Sequence, residues 1–248
     1  MEAKQVVVIA GSSRGIGRAA AMQASASGHA VVLFSRNGEA LDALASSLGE
    51  DASWVAGDIG LPDDVGRLAA QVEARYGRVD QLFVSAGFAP FGPLDELHPA
   101  VVERALQTHI AGPLYLVKAL LPWLREGGAI LLTASGMHHR PLAEAALWVA
   151  CTSAVVGLAR SLAIELAPRK INVNALSHGP VDTPIFDDYG MPPEAVAAMK
   201  ADLASQTLAK RMATTEEIAA LALSLLRPGS YVNGTEIIAN GGWNLAGR

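Results

Sequence analysis

The sequence predicts a single α/β domain in which a parallel sheet is covered by helices on both faces. Short β-branched runs alternate with longer helix-like segments, and the repeated β-α-β spacing fits parallel strands joined by crossover helices. No internal repeat, low-complexity stretch or Ser- and Pro-rich linker divides the 248 residues. With 51% hydrophobic and 17% charged residues, the chain has ample material for one buried core and needs no disulfide or metal staple.

The elements read in order. Val6 to Ala10 is a buried strand, followed by a glycine turn and a small-residue helix from Gly15 to Ser27. Ala30 to Ser35 is the second strand, and Asn37 caps a helix reaching Leu48. Ser53 to Ala56 is the third strand. Pro62 with Asp63 and Asp64 opens the next helix, since proline presets φ and acids favour the positive end of the dipole. Strands follow at Gln81 to Ser85 and Ala129 to Thr133, with a helix from Val101 to Glu126 between them, bent near Gly112-Pro113. A long helix spans Ala145 to Ala167, and a strand covers Ile171 to Ala175. Residues 177–207 are different, with Gly179-Pro180, Pro184, Gly190 and Pro192-Pro193 ahead of a helical stretch through Lys200. That irregular backbone is read as a substrate-covering segment, or as a surface excursion.

Charge and cysteine use narrow the function classes. A net charge of −5 argues against an electrostatic grip on nucleic acid or a membrane surface. Cys151 is the one cysteine, so no intrachain disulfide forms, and a reducing compartment is expected; as a residue it reads as a small buried hydrophobe. The amino terminus runs straight into Val6-Val7-Val8-Ile9, without a basic segment, apolar stretch and cleavage site. No uncharged apolar run reaches membrane-spanning length. The expectation is a cytoplasmic globular protein.

Gly11-Ser12-Ser13-Arg14-Gly15-Ile16-Gly17 lies between the first strand and its helix. Gly11 permits a tight turn, while Gly15 and Gly17 let phosphates and the facing strand approach the backbone. The helix amino terminus offers unpaired N–H groups to a pyrophosphate. The second strand ends in Ser35-Arg36-Asn37, where an acid would bind the ribose 2′-hydroxyl of NAD. None is present, and Arg36 with Arg14 would face a 2′-phosphate, so NADP(H) is the expected cofactor.

Further motifs carry a family resemblance over nearly the whole chain. Asp58-Ile59, Val84-Ser85-Ala86-Gly87, Ser161 to Pro168, Ile171-Asn172-Val173-Asn174-Ala175, Gly179 to Pro184 and Gly241-Gly242 join the glycine loop. Together they resemble the short-chain dehydrogenase/reductase (SDR) family. The resemblance implies a doubly wound Rossmann-type parallel sheet of seven strands, flanked by helices in a single domain over residues 1–248. It implies adenine contacts from Asp58 and Ile59, and cofactor contacts along Ser13, Ala86 and Gly87. Thr183 would meet the nicotinamide end, and the chain would form a homo-oligomer, dimer or tetramer.

The same resemblance exposes a departure. Ser135 matches the family's catalytic serine, but ungapped counting places Trp148 and Thr152 at the Y-x-x-x-K positions and His109 at the asparagine. Indole N–H donates a hydrogen bond without releasing its proton, and threonine carries no charge to tune a neighbour. A positioned acid or base is worth about 10²- to 10⁴-fold in rate, so ordinary alcohol–ketone interconversion should suffer. His109, His138 and His178 cluster by the expected pocket and are candidate acid–base groups. Trp148 could stack on a flat or cationic small-molecule substrate. His138 and His139 are adjacent and no carboxylate cluster accompanies them in sequence, so no metal is expected; His29 and His98 read as surface loop residues. Three readings stay open: an NADP(H)-dependent reductase of a conjugated or iminium-like acceptor; a non-redox isomerase, dehydratase or cyclase; and a non-catalytic NADP(H)-binding protein.

Overall fold

Residues 4–246 are described by a computed structural model of the chain. Seven parallel strands lie in the order β3-β2-β1-β4-β5-β6-β7. They are β1 (Val6–Ala10), β2 (Ala30–Ser35), β3 (Ala52–Ala56), β4 (Val79–Val84), β5 (Leu124–Ser135), β6 (Asn172–His178) and β7 (Glu236–Ala239). The helices are α1 (Gly15–Ala26), α2 (Gly38–Leu48), α3 (Pro62–Arg75), α4 (Pro99–Leu106), α5 (Gly112–Leu120), α6 (Ala146–Leu166), α7 (Pro193–Ser205) and α8 (Thr215–Leu225). This is the doubly wound α/β fold that the sequence predicts.

β1 shows why the central strands read as unbroken apolar runs. Val6, Val8 and Ala10 enter the core layer shared with α3, α5 and α6. Val7 and Ile9 point the other way, into the layer beneath α1, α2 and α8. With both faces covered, polar alternation disappears. α6 is long and apolar enough to cross a membrane by length and composition alone. In this fold Val155, Val156, Ala159, Leu162, Ala163 and Leu166 turn one of its faces into the core.

Asn37 caps α2 as expected, accepting from the Ala40 N–H at 3.0 Å. The expected helix from Val101 to Glu126 is corrected. Its first part is α4, a π-helical turn at Gln107–Ala111 widens the ladder, and α5 ends at Leu120. Pro113 has no N–H for the His109 carbonyl, so the hydrogen-bond ladder resets just before Gly112. Pro122 then stops the helix, and β5 begins at Leu124, five residues ahead of its expected start. Strand β7 and helix α8 escaped the element-by-element reading. α8 carries a legible signal, a capping box in which Thr214 and Glu217 satisfy each other's backbone N–H groups.

The sheet is clamped at the end opposite its carboxyl edge. Asp80, in β4, is fully buried and accepts from the Val6 N–H at 2.8 Å, from Arg78 and, at 3.0 Å, from Arg125. One carboxylate therefore ties the beginnings of β1, β4 and β5. Burial pushes its carboxyl up, but the two guanidiniums and the Val6 N–H outweigh that and hold it below the usual carboxylate range. A carboxyl depressed on folding adds stability above its unfolded pKa and loses it as pH falls. Asp80→Asn should cost about 2–3 kcal/mol near neutral pH. Urea denaturation should show that gap narrowing at about pH 3.

Candidate active site

The strand order reverses direction between β1 and β4, and ligands of doubly wound sheets bind outside the carboxyl ends at such a switch point. Gly11 ends β1 with φ +86°, and a Cβ there would lie 2.5 Å from the Ala86 nitrogen. A Cβ on Gly17 would lie 2.2 Å from the Gly11 carbonyl oxygen. Both contacts are backbone on backbone, so no side chain fits either position. Ser12, which the sequence reading passed over, is buried and accepts from the Phe34 N–H at 3.1 Å, fixing the loop to β2. Arg14 leads into α1 without a side-chain cap, and no acid occupies the first turn. The N–H groups of Gly15, Ile16 and Gly17 thus open α1 with no acceptor from its cap, which suits a phosphate.

At the end of β2 the Ser35 hydroxyl is buried with no hydrogen-bond partner among the described residues. Arg36 beside it is exposed, and no carboxylate pairs with it among those residues. An unpaired cation and an orphaned hydroxyl there fit a phosphorylated ribose. Asp58 accepts from the Gly60 N–H at 2.8 Å and so shapes the turn after β3. The Ile59 side chain is buried in the core and packs where a Cβ on Gly112 would come within 3.0 Å. That leaves its backbone as the part of the residue facing the crevice side of the turn after β3, so an adenine contact there would be a backbone one.

Residues 177–207 fold partly over this crevice. The Thr183 methyl would lie 3.7 Å from a Cβ on Gly15, and a short 3-10 helix follows at Pro184–Tyr189. Arg14 reaches up to this helix, ion-pairing with Asp188 and donating to the Pro184 carbonyl at 3.3 Å. Tyr189 packs edge-on against Phe91 and Phe186, each with ring centroids 6.0 Å away. Burial, with Asp188 alongside, pushes its phenol up to about 12.

Beyond the crevice lies a neutral centre. The Ser135 hydroxyl accepts from the Met137 N–H at 3.2 Å and keeps its own hydrogen free of any acceptor among the described residues. His178 is its register neighbour on β6 and donates from Nδ1 to the Gly179 carbonyl at 2.9 Å. His109, on the π turn, donates from Nε2 to the Phe88 carbonyl at 2.8 Å, and its ring meets Trp148 edge-on at 5.0 Å. Burial drives the His109 imidazole down to about 4 and lowers that of His178 as well. Thr152 is buried, and its hydroxyl donates back to the Trp148 carbonyl at 2.9 Å. Ser135, His109, Trp148 and His178 are thus held on adjoining elements, while Thr152 contributes nothing polar outward.

The family model described as Enoyl-(Acyl carrier protein) reductase matches residues 10–244. A short-chain dehydrogenase/reductase structure from Brucella melitensis superposes with a TM-score of 0.90 at 34% identity, covering 96% of each chain. The chain belongs to the short-chain dehydrogenase/reductase family. Among curated SDR relatives, human dehydrogenase/reductase SDR family member 2 is 31% identical over 96% of this chain and 86% of its own. The uncharacterized oxidoreductase YmfI of Bacillus subtilis is 29% identical over 97% and 99%. L-sorbose reductase from Gluconobacter frateurii, solved with NADPH and L-sorbose, has a TM-score of 0.90 at 25% identity, covering 98% of this chain and 97% of that one.

Three readings of the histidines are refined within this SDR frame. His138 lies outside the neutral centre: its Nε2 is committed to Glu236, and its Nδ1 has no partner among the described residues. No carboxylate cluster accompanies His138 and His139 in sequence, but β7 carries one carboxylate, Glu236, to them across nearly a hundred residues. His29 sits in the loop between α1 and β2, half-buried, and donates to the Ala24 carbonyl at 3.1 Å. Asp188, Glu236, Phe88 and Ser12 all went unnoticed, since each acquires its role from a distant segment.

Because its pKa falls from 6.5 to about 4 on folding, His109 should stay neutral where an exposed histidine is charged. The unfolded chain then binds a proton that the folded chain refuses, so this residue lowers stability as pH drops from 6.5. A histidine-resolved NMR titration should show the His109 ring unchanged until below about pH 5.

Proposed function

We propose that the chain is an NADP(H)-dependent SDR reductase acting on an activated small molecule, a conjugated or iminium-like acceptor. The observation that carries this reading is the neutral centre beside a retained nucleotide cradle. Trp148 and Thr152 stand where the family resemblance places a phenol and an ammonium, and the nearby imidazoles of His109 and His178 are held uncharged by burial. The residues present fit the dinucleotide: the Gly11 and Gly17 contacts keep the crevice clear of side chains, α1 presents N–H groups, and Arg36, near Asp188 but in no direct ion pair among the described residues, stands beside the orphaned Ser35 hydroxyl.

Bound NADPH would supply the hydride. The chain's own groups then need only steady charge arising on the acceptor. When hydride adds to the far carbon of a conjugated system, the electron pair moves onto the oxygen as an enolate. The Ser135 hydroxyl can donate to that oxygen, and so can the Trp148 indole N–H, which has no acceptor among the described residues. Neither gives up its proton, and a proton from solvent completes the product. An iminium acceptor needs still less, because hydride addition neutralises it. The covering segment, latched by Arg14 and Asp188, would hold the acceptor in place for hydride transfer. The matching family model's description names an enoyl acceptor, which is of this conjugated kind.

NADPH consumption with a panel of enones and cyclic iminium ions tests the reading. Turnover is expected with members of the panel and not with simple ketones. No turnover at all, or product formed without any nicotinamide, would point to the non-redox reading. The rate should vary less than about threefold between pH 6 and 8, since burial lowers both imidazoles of the centre from the usual histidine range. Trp148→Tyr combined with Thr152→Lys should bring measurable reduction of simple ketones. A folded double variant that binds NADPH without that gain would show that the pocket differs at more than these two positions.

A further inference from the structure

The turn after Ser135 runs over the end of β6 to the outer edge of the sheet. His138 and His139 meet Glu236 there, at the start of β7. Their Nε2 atoms lie 2.9 and 2.7 Å from the same carboxylate oxygen, Oε1 of Glu236. The two imidazoles are tilted against each other with centroids 4.1 Å apart. One ligating atom from each of the three residues falls within 4.8 Å of the others. These groups lie outside the nucleotide cradle, and the reading of the neutral centre makes no use of them.

The Glu236 side chain is only 9% exposed. Among the described residues its ion-pair partners are these two imidazoles, with no lysine or arginine within 4.0 Å. A buried carboxylate needs a compensating charge. An imidazole supplies one only when protonated, whereas a bound divalent cation supplies one with both rings uncharged. Two imidazole nitrogens and a carboxylate oxygen converging on one point are a donor set for zinc and related late first-row divalent ions. Lone pairs that now meet through hydrogen atoms would meet through the cation instead, which also neutralises the carboxylate.

We propose that His138, His139 and Glu236 form a binding site for a divalent transition-metal cation of the zinc type. Three protein ligands leave a fourth position for water or a small donor. His139 also lines a cavity of about 340 Å³ with Arg140, Pro141 and Asn244, which gives that position room. Because His138 lies three residues beyond Ser135, a bound ion would tie the Ser135 turn to β7. The proposal stands whether or not the chain reduces an activated acceptor.

The test is titration of the tag-free, chelator-stripped full chain with zinc chloride by calorimetry, and with cobalt chloride by visible absorption. One equivalent of zinc should bind per chain, and cobalt should develop a d–d spectrum. Zinc should also raise the thermal unfolding midpoint. Glu236→Gln and His139→Gln should each weaken binding at least about 100-fold, the upper end of what losing an outer-shell partner costs. Glu236→Gln keeps the shape and an acceptor oxygen, and His139 is partly exposed, so both variants should fold. His98→Gln, at a distant helix cap, should bind as the parent does. No saturable binding of either metal would overturn the proposal, as would binding that survives both ligand substitutions.

Discussion

The contact between backbone and backbone at Gly11 and Gly17 is the constraint from which the rest follows. The end of β1 passes so close to Ala86, and the start of α1 so close to the Gly11 carbonyl, that neither glycine has room for a Cβ. The turn is therefore narrow, and α1 begins directly at the carboxyl edge of the sheet. Its first N–H groups, at the strand-order reversal, receive no side-chain cap. Everything that touches the crevice is placed relative to this turn: Ser35 and Arg36 from β2, Ala86 and Gly87 after β4, and Thr183 above Gly15. Asp80 holds the same strands at the other end, so the site sits on a sheet clamped from below.

The crevice and the centre beside it differ in their electrostatics. The cradle keeps features suited to a multiply charged ligand: free N–H groups, an unpaired Arg36, and an Arg14 answered by Asp188 of the covering segment. Beyond it the environment turns neutral. His109 gives its one N–H to the Phe88 carbonyl while burial strips it of charge, and Trp148 lies against its ring. Thr152, buried in α6, folds its hydroxyl back on the helix. A site of this kind can orient a substrate and steady charge as it moves. It is poorly built to hand over a proton near neutrality.

Much of the fold was legible because covered strands and capped helices leave local marks. β1 reads as an apolar run, Asn37 marks the start of α2, and Pro62 with two acids marks α3. The failures were local as well. The helix that stops at Leu120 was carried past Pro122, and the π turn ahead of Pro113 was read as a bend one residue later. The glycine loop was legible as a site because strand, turn and helix are contiguous. Glu236 and Asp188 were not legible, since their partners lie nearly a hundred residues away or more and no periodicity links them. For Ile59 the motif gave no sign that packing against Gly112 takes its side chain into the core.

The central claim is that the narrow turn at β1 still holds a phosphorylated dinucleotide. Direct titration of the purified chain with NADPH, followed by nucleotide fluorescence and by quenching of the tryptophans, tests it most directly. Saturable binding of one NADPH per chain, tighter than that of NADH, is the predicted result. A chain that stays folded and binds neither nucleotide at millimolar concentration would contradict the account.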